Sequence, residues 1–228
     1  MERPNIKHLF DTQLLSEKTK KHLQNVYYEM TIGLLVTALS CFVGQYMIEL
    51  LSVLFIPLCI AQLGLIIYMV YSNSHNKHSY FYAFTALEGL TLTPLVHTAN
   101  IIDNTIVFTA LTTTIITFGS FSYLSLKTNK RSVLYFGGIL ASILFTLTIM
   151  SLVNLFLHSE LLFKIELYLG LGLFCMYIIY DTQLVIKEAD DGKYDVIKHA
   201  MTFYLDFINV FIRILIILMR NKNNKKKK

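Results

Sequence analysis

Residues 203 to 213 read FYLDFINVFIR, an aspartate and an arginine set inside a run, 200 to 219, dominated by Leu, Ile, Phe, Val and Met. About 20 apolar residues is the length a helix needs to cross ~30 Å of hydrocarbon. The surroundings of Asp206 and Arg213 therefore decide the fold before their charges raise a question. Working outward, windows of the same kind recur at 26 to 48, 51 to 71, 80 to 101, 104 to 126, 133 to 157 and 165 to 186. The 228 residues are 54% hydrophobic and 15% charged, where a soluble domain carries about a quarter charged. The mean hydropathy is +0.53. These features predict an all-α polytopic membrane protein of six to seven transmembrane helices. Its predicted organisation is a basic amino-terminal segment over 1–25, a helical bundle over 26–219 and a basic tail over 220–228. The connecting stretches leave no room for a soluble domain.

Arg3, Lys7, Lys18, Lys20 and Lys21 precede the first span without an apolar core and small-residue cleavage site, so no cleavable signal peptide is expected. Cys41, Cys59 and Cys175 fall mid-span, where a thiol acts as a small apolar side chain. With seven crossings, the Lys and Arg outside the spans gather on the amino-terminal side, which predicts a cytosolic amino terminus. The tail is the exception. Arg220, Lys222 and Lys225 to Lys228 fall on the far side unless the last segment dips in and returns. A cytosolic tail places Lys225 and Lys226 at the positions of a dilysine retrieval signal. The alternative is a polybasic patch drawn to lipid headgroups at about 1 kcal/mol per residue. Nucleic acid is not an expected partner, because the rest of the chain lies in the bilayer.

An ionised side chain at the bilayer centre costs at least ~2.5 kcal/mol, and intramembrane acids usually face a protein interior, a partner or a water-filled path. At steps of 3, 4, 3 and 4, His199, Thr202, Asp206, Asn209 and Arg213 share one helix face. That face is a polar stripe. The second acid is Asp181, in IIYDTQLVI, and Gly192 in EADDGKYD marks the turn between the two helices. Asp181 and Asp206 stand at similar distances from that turn, so an antiparallel hairpin sets them at similar depth. Two carboxylates ~4 Å apart repel by ~4 kcal/mol at an effective dielectric near 20. Such a pair shares a proton at mildly acidic pH and carries two charges at alkaline pH. It is a candidate pH sensor, and its oxygens suit transient Ca²⁺ binding on a cation path. The structural alternative is that each acid caps a neighbouring polar group and holds the bundle's register.

Glu29 and Glu88 are single carboxyls in apolar runs, read as counter-ions to Arg213 or as cavity lining. His97 and Asp103 fall near a span end. His75 and His78 form HxxH without further ligands, a weak metal signal. Pro57 and Pro94 are helix-interior prolines that free a carbonyl and favour a kink. Neither HExxH, a phosphate-cradling loop nor a nucleophile elbow is present, so no catalytic residue and no cofactor are expected. Tyr180 and Asp181 match half of the signature of an intramembrane aspartyl protease. The GxGD half fails at FYLDF.

The run YDTQLVIKEADDGKYDVIKHAMTFYLDFINVFIRIL with its lysine-rich tail closely resembles the Bax inhibitor-1 family, its eukaryotic members in particular. KHLQNVYYEM, FTALEGLTLTPLV, ALTTTIITFGSFSYLSL and KRSVLYFGGIL extend the resemblance over essentially the full chain. It implies six helices around a central seventh, and a pH-sensitive calcium leak of the endoplasmic reticulum that suppresses programmed cell death. Ca²⁺ is then a permeant ion, and the implied partners are membrane lipids and cell-death regulators of the Bcl-2 family. Asp181 and Asp206 match the family's pH-sensing pair. Two departures stand out. Residues 51 to 71 contain no basic residue to serve as the latch of some bacterial relatives, which makes Arg213 the candidate. Thr93 replaces the family's glycine before Pro94. A non-conducting scaffold that regulates partner proteins is the competing reading.

Overall fold

The computed structural model describes residues 15–71, 76–127 and 131–226. His75, and with it the HxxH pair, lies outside them, as do Arg3 and Lys7. The described residues form seven α-helices: α1 (Glu17–Gly44), α2 (Ile48–Tyr71), α3 (Lys77–Ile102), α4 (Thr105–Lys127), α5 (Gly137–Leu157), α6 (Glu160–Asp190) and α7 (Val196–Lys226). No strand occurs among the described residues. Each predicted window lies in its own helix apart from a residue or a short 3-10 turn at its edge. The helices outrun the windows, since α6 and α7 at 31 residues each measure about 46 Å and emerge from the hydrocarbon at their ends.

Among the described residues five continuous runs are long and apolar enough to cross a membrane: Glu17–Met69, which takes in α1 and α2, then Thr105–Lys127, Val133–Leu157, Glu160–Asp190 and Val196–Lys225. Helix α3 is not among them. Its 26 residues include Glu88, His97 and several threonines, and its length follows from packing between apolar neighbours rather than from its own hydropathy. The threonines of α4 cross lipid because their hydroxyls bond back to their own helix, Thr112 to the Phe108 carbonyl at 2.9 Å and Thr113 to the Thr109 carbonyl at 2.7 Å.

The chain divides into two compact units. The first comprises residues 25–115 and 195–228. Within it α1 runs parallel to α3, with Glu29 beside Tyr82, Thr37 beside Thr85 and Gly44 beside Thr93. Helix α2 runs antiparallel to α3, with Tyr68 against Tyr80 and Gln62 against Glu88. The chain therefore reverses at the short 3-10 turn Gln45–Met47. Gly89 sets the closeness of α1 and α3. A Cβ there would collide with the Thr37 carbonyl oxygen and stand 2.8 Å from Ser40 Cβ.

Helix α7 lies along α3 from end to end. Lys77 pairs with Asp195 at 2.7 Å where both helices begin, and Lys222 pairs with Asp103 at 2.6 Å where α3 has ended. A single unbroken helix, long and apolar enough to cross a membrane, joins those two points. Such a helix favours the spanning reading of the last segment over the dip-and-return reading, and Lys222 lies at the end of α7 opposite Asp195. Helix α7 is also the most enclosed of the apolar runs. Of its most apolar window 56% is buried, against 11% to 28% in the others. Phe81 and Phe84 of α3 meet the ring of Tyr204 edge-on.

The second unit comprises residues up to 24 and 116–194. Helices α5 and α6 form a hairpin around Leu140, Leu147 and Leu173, with Tyr177 and Tyr180 packed alongside. Its turn is two residues long. His158 adopts the left-handed conformation at φ 49° and ends α5, and the Ser159 hydroxyl caps α6 by accepting from the Leu162 amide at 3.4 Å. At the far end of α6, Gly192 at φ 80° allows the Lys193 amide to reach the Glu188 carbonyl and the Gly192 amide the Ala189 carbonyl. This is the glycine-dependent helix end that the sequence predicts. The first turns of α1 fasten to the same place, through Thr19 donating to Asp190 at 2.9 Å and His22 edge-on to Tyr194.

Candidate functional site

The DTQ element on α6 has two anchoring members. Gln183 Nε2 donates to the Ser125 carbonyl of α4 at 2.5 Å, and the Ser125 hydroxyl returns a bond to the Ile179 carbonyl at 2.9 Å. Thr182 bonds the Ile178 carbonyl at 2.6 Å and lies 3.5 Å from Ser122. These contacts fix the rotation of α6 against α4 and so fix where Asp181 is held. Asp181 is 7% exposed, an acid buried at membrane depth.

On α7, Asp206 is 4% exposed and His199 3%. The rest of the predicted stripe, Thr202, Asn209 and Arg213, is half-buried. Arg213 Nη1 donates to the Asn209 side-chain oxygen at 3.1 Å and to the Asn209 carbonyl at 3.3 Å, while Asn209 Nδ2 donates to the Leu205 carbonyl. Thr202 bonds back to Lys198 at 3.2 Å. Asn209 and Arg213 are thus brought together as neighbours on one face. Counted from the turn, Asp181 stands nine residues before Asp190, the last of α6, and Asp206 ten residues after Val196, the first of α7.

Glu88 and Glu29 have other partners than Arg213. Gln62 of α2 donates to Glu88 at 2.6 Å and also reaches Thr91 at 3.3 Å. The Tyr82 hydroxyl donates to Glu29 at 2.5 Å, and His78 Nδ1 lies 3.4 Å from its other oxygen. Each acid therefore ties α3 to a neighbouring helix. The sequence reading also missed Thr37 and Tyr204, whose hydroxyls lie 2.6 Å apart. The Thr37 hydroxyl has one proton, and two carbonyl oxygens, of Gly33 and Thr85, stand within 3.0 Å to take it. The Tyr204 hydroxyl is then the donor to Thr37. Nothing in their sequence spacing signals this pair.

Outside the spans, two carboxyls are held below the usual range. Burial raises Asp195, but the bonds from Lys77 and from the Lys198 amide, with the charges of Lys77 and His199, outweigh it. Asp103 is lowered by Lys222 first and by the Thr105 hydroxyl and amide next. Among the described residues no cluster of three or more His, Cys, Asp or Glu side chains is arranged to hold a metal ion.

The family model of inhibitors of apoptosis-promoting Bax1 matches residues 19–224. The chain belongs to this family. It is 33% identical to a probable Bax inhibitor 1 of Paralichthys olivaceus, over 98% of this chain and 95% of the relative. It is likewise 33% identical to Bax inhibitor 1 of Oryza sativa subsp. japonica, over 92% of this chain and 85% of the relative. Against Bax inhibitor 1 of Homo sapiens the identity is 32%, over 93% and 91%. The match extends across all seven helices, so this member of the Bax inhibitor family is an integral membrane protein of an anti-apoptotic family.

Proposed function

We propose that this chain is a passive, pH-gated cation leak that lets Ca²⁺ out of the endoplasmic reticulum and thereby restrains stress-induced cell death. The observation that carries the reading is the burial of Asp181 and Asp206, at 7% and 4% exposure, nine and ten residues from the ends of the helices that flank one glycine turn. Acids at similar distances from that turn act as the sensor, sharing one proton with a closed path and both ionised with an open one. Arg213, steered by Asn209, is the latch. Thr202, Asn209 and Glu88 supply oxygens along the path, and the two aspartates bind Ca²⁺ only in passing, as hard oxygen ligands. Nothing in this function requires a cofactor or a catalytic step.

The distribution of basic residues supports an amino terminus in the cytosol. A fully crossing α7 then carries Arg220, Lys222 and Lys225 to the lumenal side, where lysines act on lipid headgroups and not as a retrieval signal. Membrane lipids and cell-death regulators of the Bcl-2 type are the proposed partners. The test is Ca²⁺ flux through purified protein in liposomes between about pH 6 and pH 8, comparing wild type with Asp181→Asn and Asp206→Asn. Flux that varies with pH and loses that dependence in both variants is the expected result. An absence of flux from folded wild type refutes the leak and favours a non-conducting scaffold.

A further inference from the structure

Two glycines open α5, and only one of them has a packing reason to be glycine. A Cβ at Gly138 would meet nothing within 4 Å, whereas a Cβ at Gly137 would stand 2.5 Å from the Tyr180 hydroxyl of α6 and 2.8 and 2.9 Å from atoms of its ring. The Tyr180 ring thus occupies the place of a Gly137 side chain. Leu173 lies two turns earlier on the same face of α6 and packs with Leu140 and Leu147 of α5. The ring of Tyr177 meets that of Tyr180 edge-on at 6.3 Å. This face of α6 rests on α5, while Thr182 and Gln183 face α4 through Ser122 and Ser125. Successive helical residues point about 100° apart, so Asp181, between Tyr180 and Thr182, is directed to a side of α6 that these contacts with α4 and α5 leave open.

We propose that Tyr180, seated against Gly137, is a positioning residue for the buried acid Asp181, an inference that rests on the reading of Asp181 as half of the sensor. The bonds to α4 set the rotation of α6 from one flank and leave its distance from α5 open. At the depth of Asp181 that distance is set by Tyr180 standing on Gly137. The two residues are joined by one peptide unit, ~3.8 Å between Cα atoms, so a displacement of the Tyr180 backbone is passed directly to Asp181. A methyl group at Gly137 needs about 1 Å of extra room to reach ordinary contact near ~3.5 Å. Any part of that which α6 takes up moves Asp181 relative to the groups around it.

The full chain is reconstituted in phosphatidylcholine vesicles, and the infrared band of the Asp181 carboxyl, protonated or ionised, is identified as the feature lost in Asp181→Asn. Gly137→Ala should shift that band in frequency, and Gly138→Ala, whose methyl enters open space, should not. Tyr180→Leu, which removes the ring, should shift it as well. Gly137→Ala combined with Tyr180→Leu should bring the band back toward its wild-type frequency, because the shorter side chain makes room for the methyl. Two merely destabilising changes do not cancel in this way, whereas residues in contact are coupled. A band unmoved in folded Gly137→Ala and in folded Tyr180→Leu overturns the proposal, and so does a double variant in which the two shifts add. Ca²⁺ flux across the same vesicles separates this result from the leak. Shifts as expected without flux from wild type keep Tyr180 as the positioning residue of a buried acid and remove the leak. Flux that varies with pH beside an unmoved band keeps the leak and removes Tyr180 from it.

Discussion

Lys77 Nζ donates to Asp195 Oδ2 at 2.7 Å, joining the first residue of α3 to the residue that caps α7. The other oxygen of Asp195 accepts from the Lys198 amide at 3.1 Å, the bond of a helix N-cap. One carboxylate therefore starts α7 and fixes it against α3. Asp195→Ala removes both roles and should cost roughly 1 kcal/mol or somewhat more. Asp195→Asn keeps a capping oxygen and loses only a partly exposed ion pair, worth ~0 to 1 kcal/mol. Because the folded carboxyl is held below its usual range, its contribution is complete above the unfolded aspartate value near ~3.9 and is lost as pH falls through the folded value. Thermal unfolding in detergent at pH 7 and near pH 3 should show the largest wild-type excess over Asp195→Asn at pH 7. An excess that grows toward acid would contradict this assignment.

The second ion pair, Asp103 with Lys222, marks the other end of the same helix pair. If α7 crosses fully, residues flanking it must face opposite compartments. Lys193→Cys and Lys225→Cys, made with the native cysteines replaced, should react with a membrane-impermeant maleimide from opposite sides of sealed vesicles. Labelling of both from one side would restore the dip-and-return topology.

Tyr204 is fully buried, and its hydroxyl reaches Thr37 at 2.6 Å. The two partners should respond unequally to removal. In Tyr204→Phe the Thr37 hydroxyl keeps its carbonyl acceptors, so the loss is one hydrogen bond, about 0.5 to 1.5 kcal/mol. In Thr37→Val the buried tyrosine hydroxyl loses its acceptor, which costs about 1 to 3 kcal/mol. Melting temperatures should fall in that order. Equal losses would indicate that water replaces Thr37.

The helices and the glycine turn were legible in the sequence because lipid leaves the backbone few alternatives and Gly192 adopts a conformation other residues avoid. The stripe on α7 was legible for a similar reason, since polar side chains at helical spacing stand out against Leu and Ile. Partnerships between helices were not. Lys77 and Asp195 are 118 residues apart, and no local pattern couples them. Glu29 and Glu88 looked like counter-ions to Arg213, but the parallel register of α1 on α3 delivers Tyr82 and His78 to one and the turn of α2 delivers Gln62 to the other. Small residues such as Gly33 and Gly89 reveal that a face makes close contact. They do not reveal the offset at which it does so.

That offset is open to a direct test with two glycines. A Cβ at Gly89 would collide with the Thr37 carbonyl oxygen, a backbone atom that cannot swing away, whereas a Cβ at Gly64 of α2 would meet nothing within 4 Å. Gly89→Ala must therefore push α1 and α3 apart or strain them, at a cost of about 1 to 3 kcal/mol. Gly64→Ala gains the helix preference of alanine, up to about 1 kcal/mol. The same substitution in two neighbouring helices should thus shift thermal unfolding in opposite directions. If Gly89→Ala is instead as stable as Gly64→Ala, then α1 does not lie against α3 at the closeness that places Thr37 beneath Tyr204, and the prediction for that hydroxyl pair fails with it.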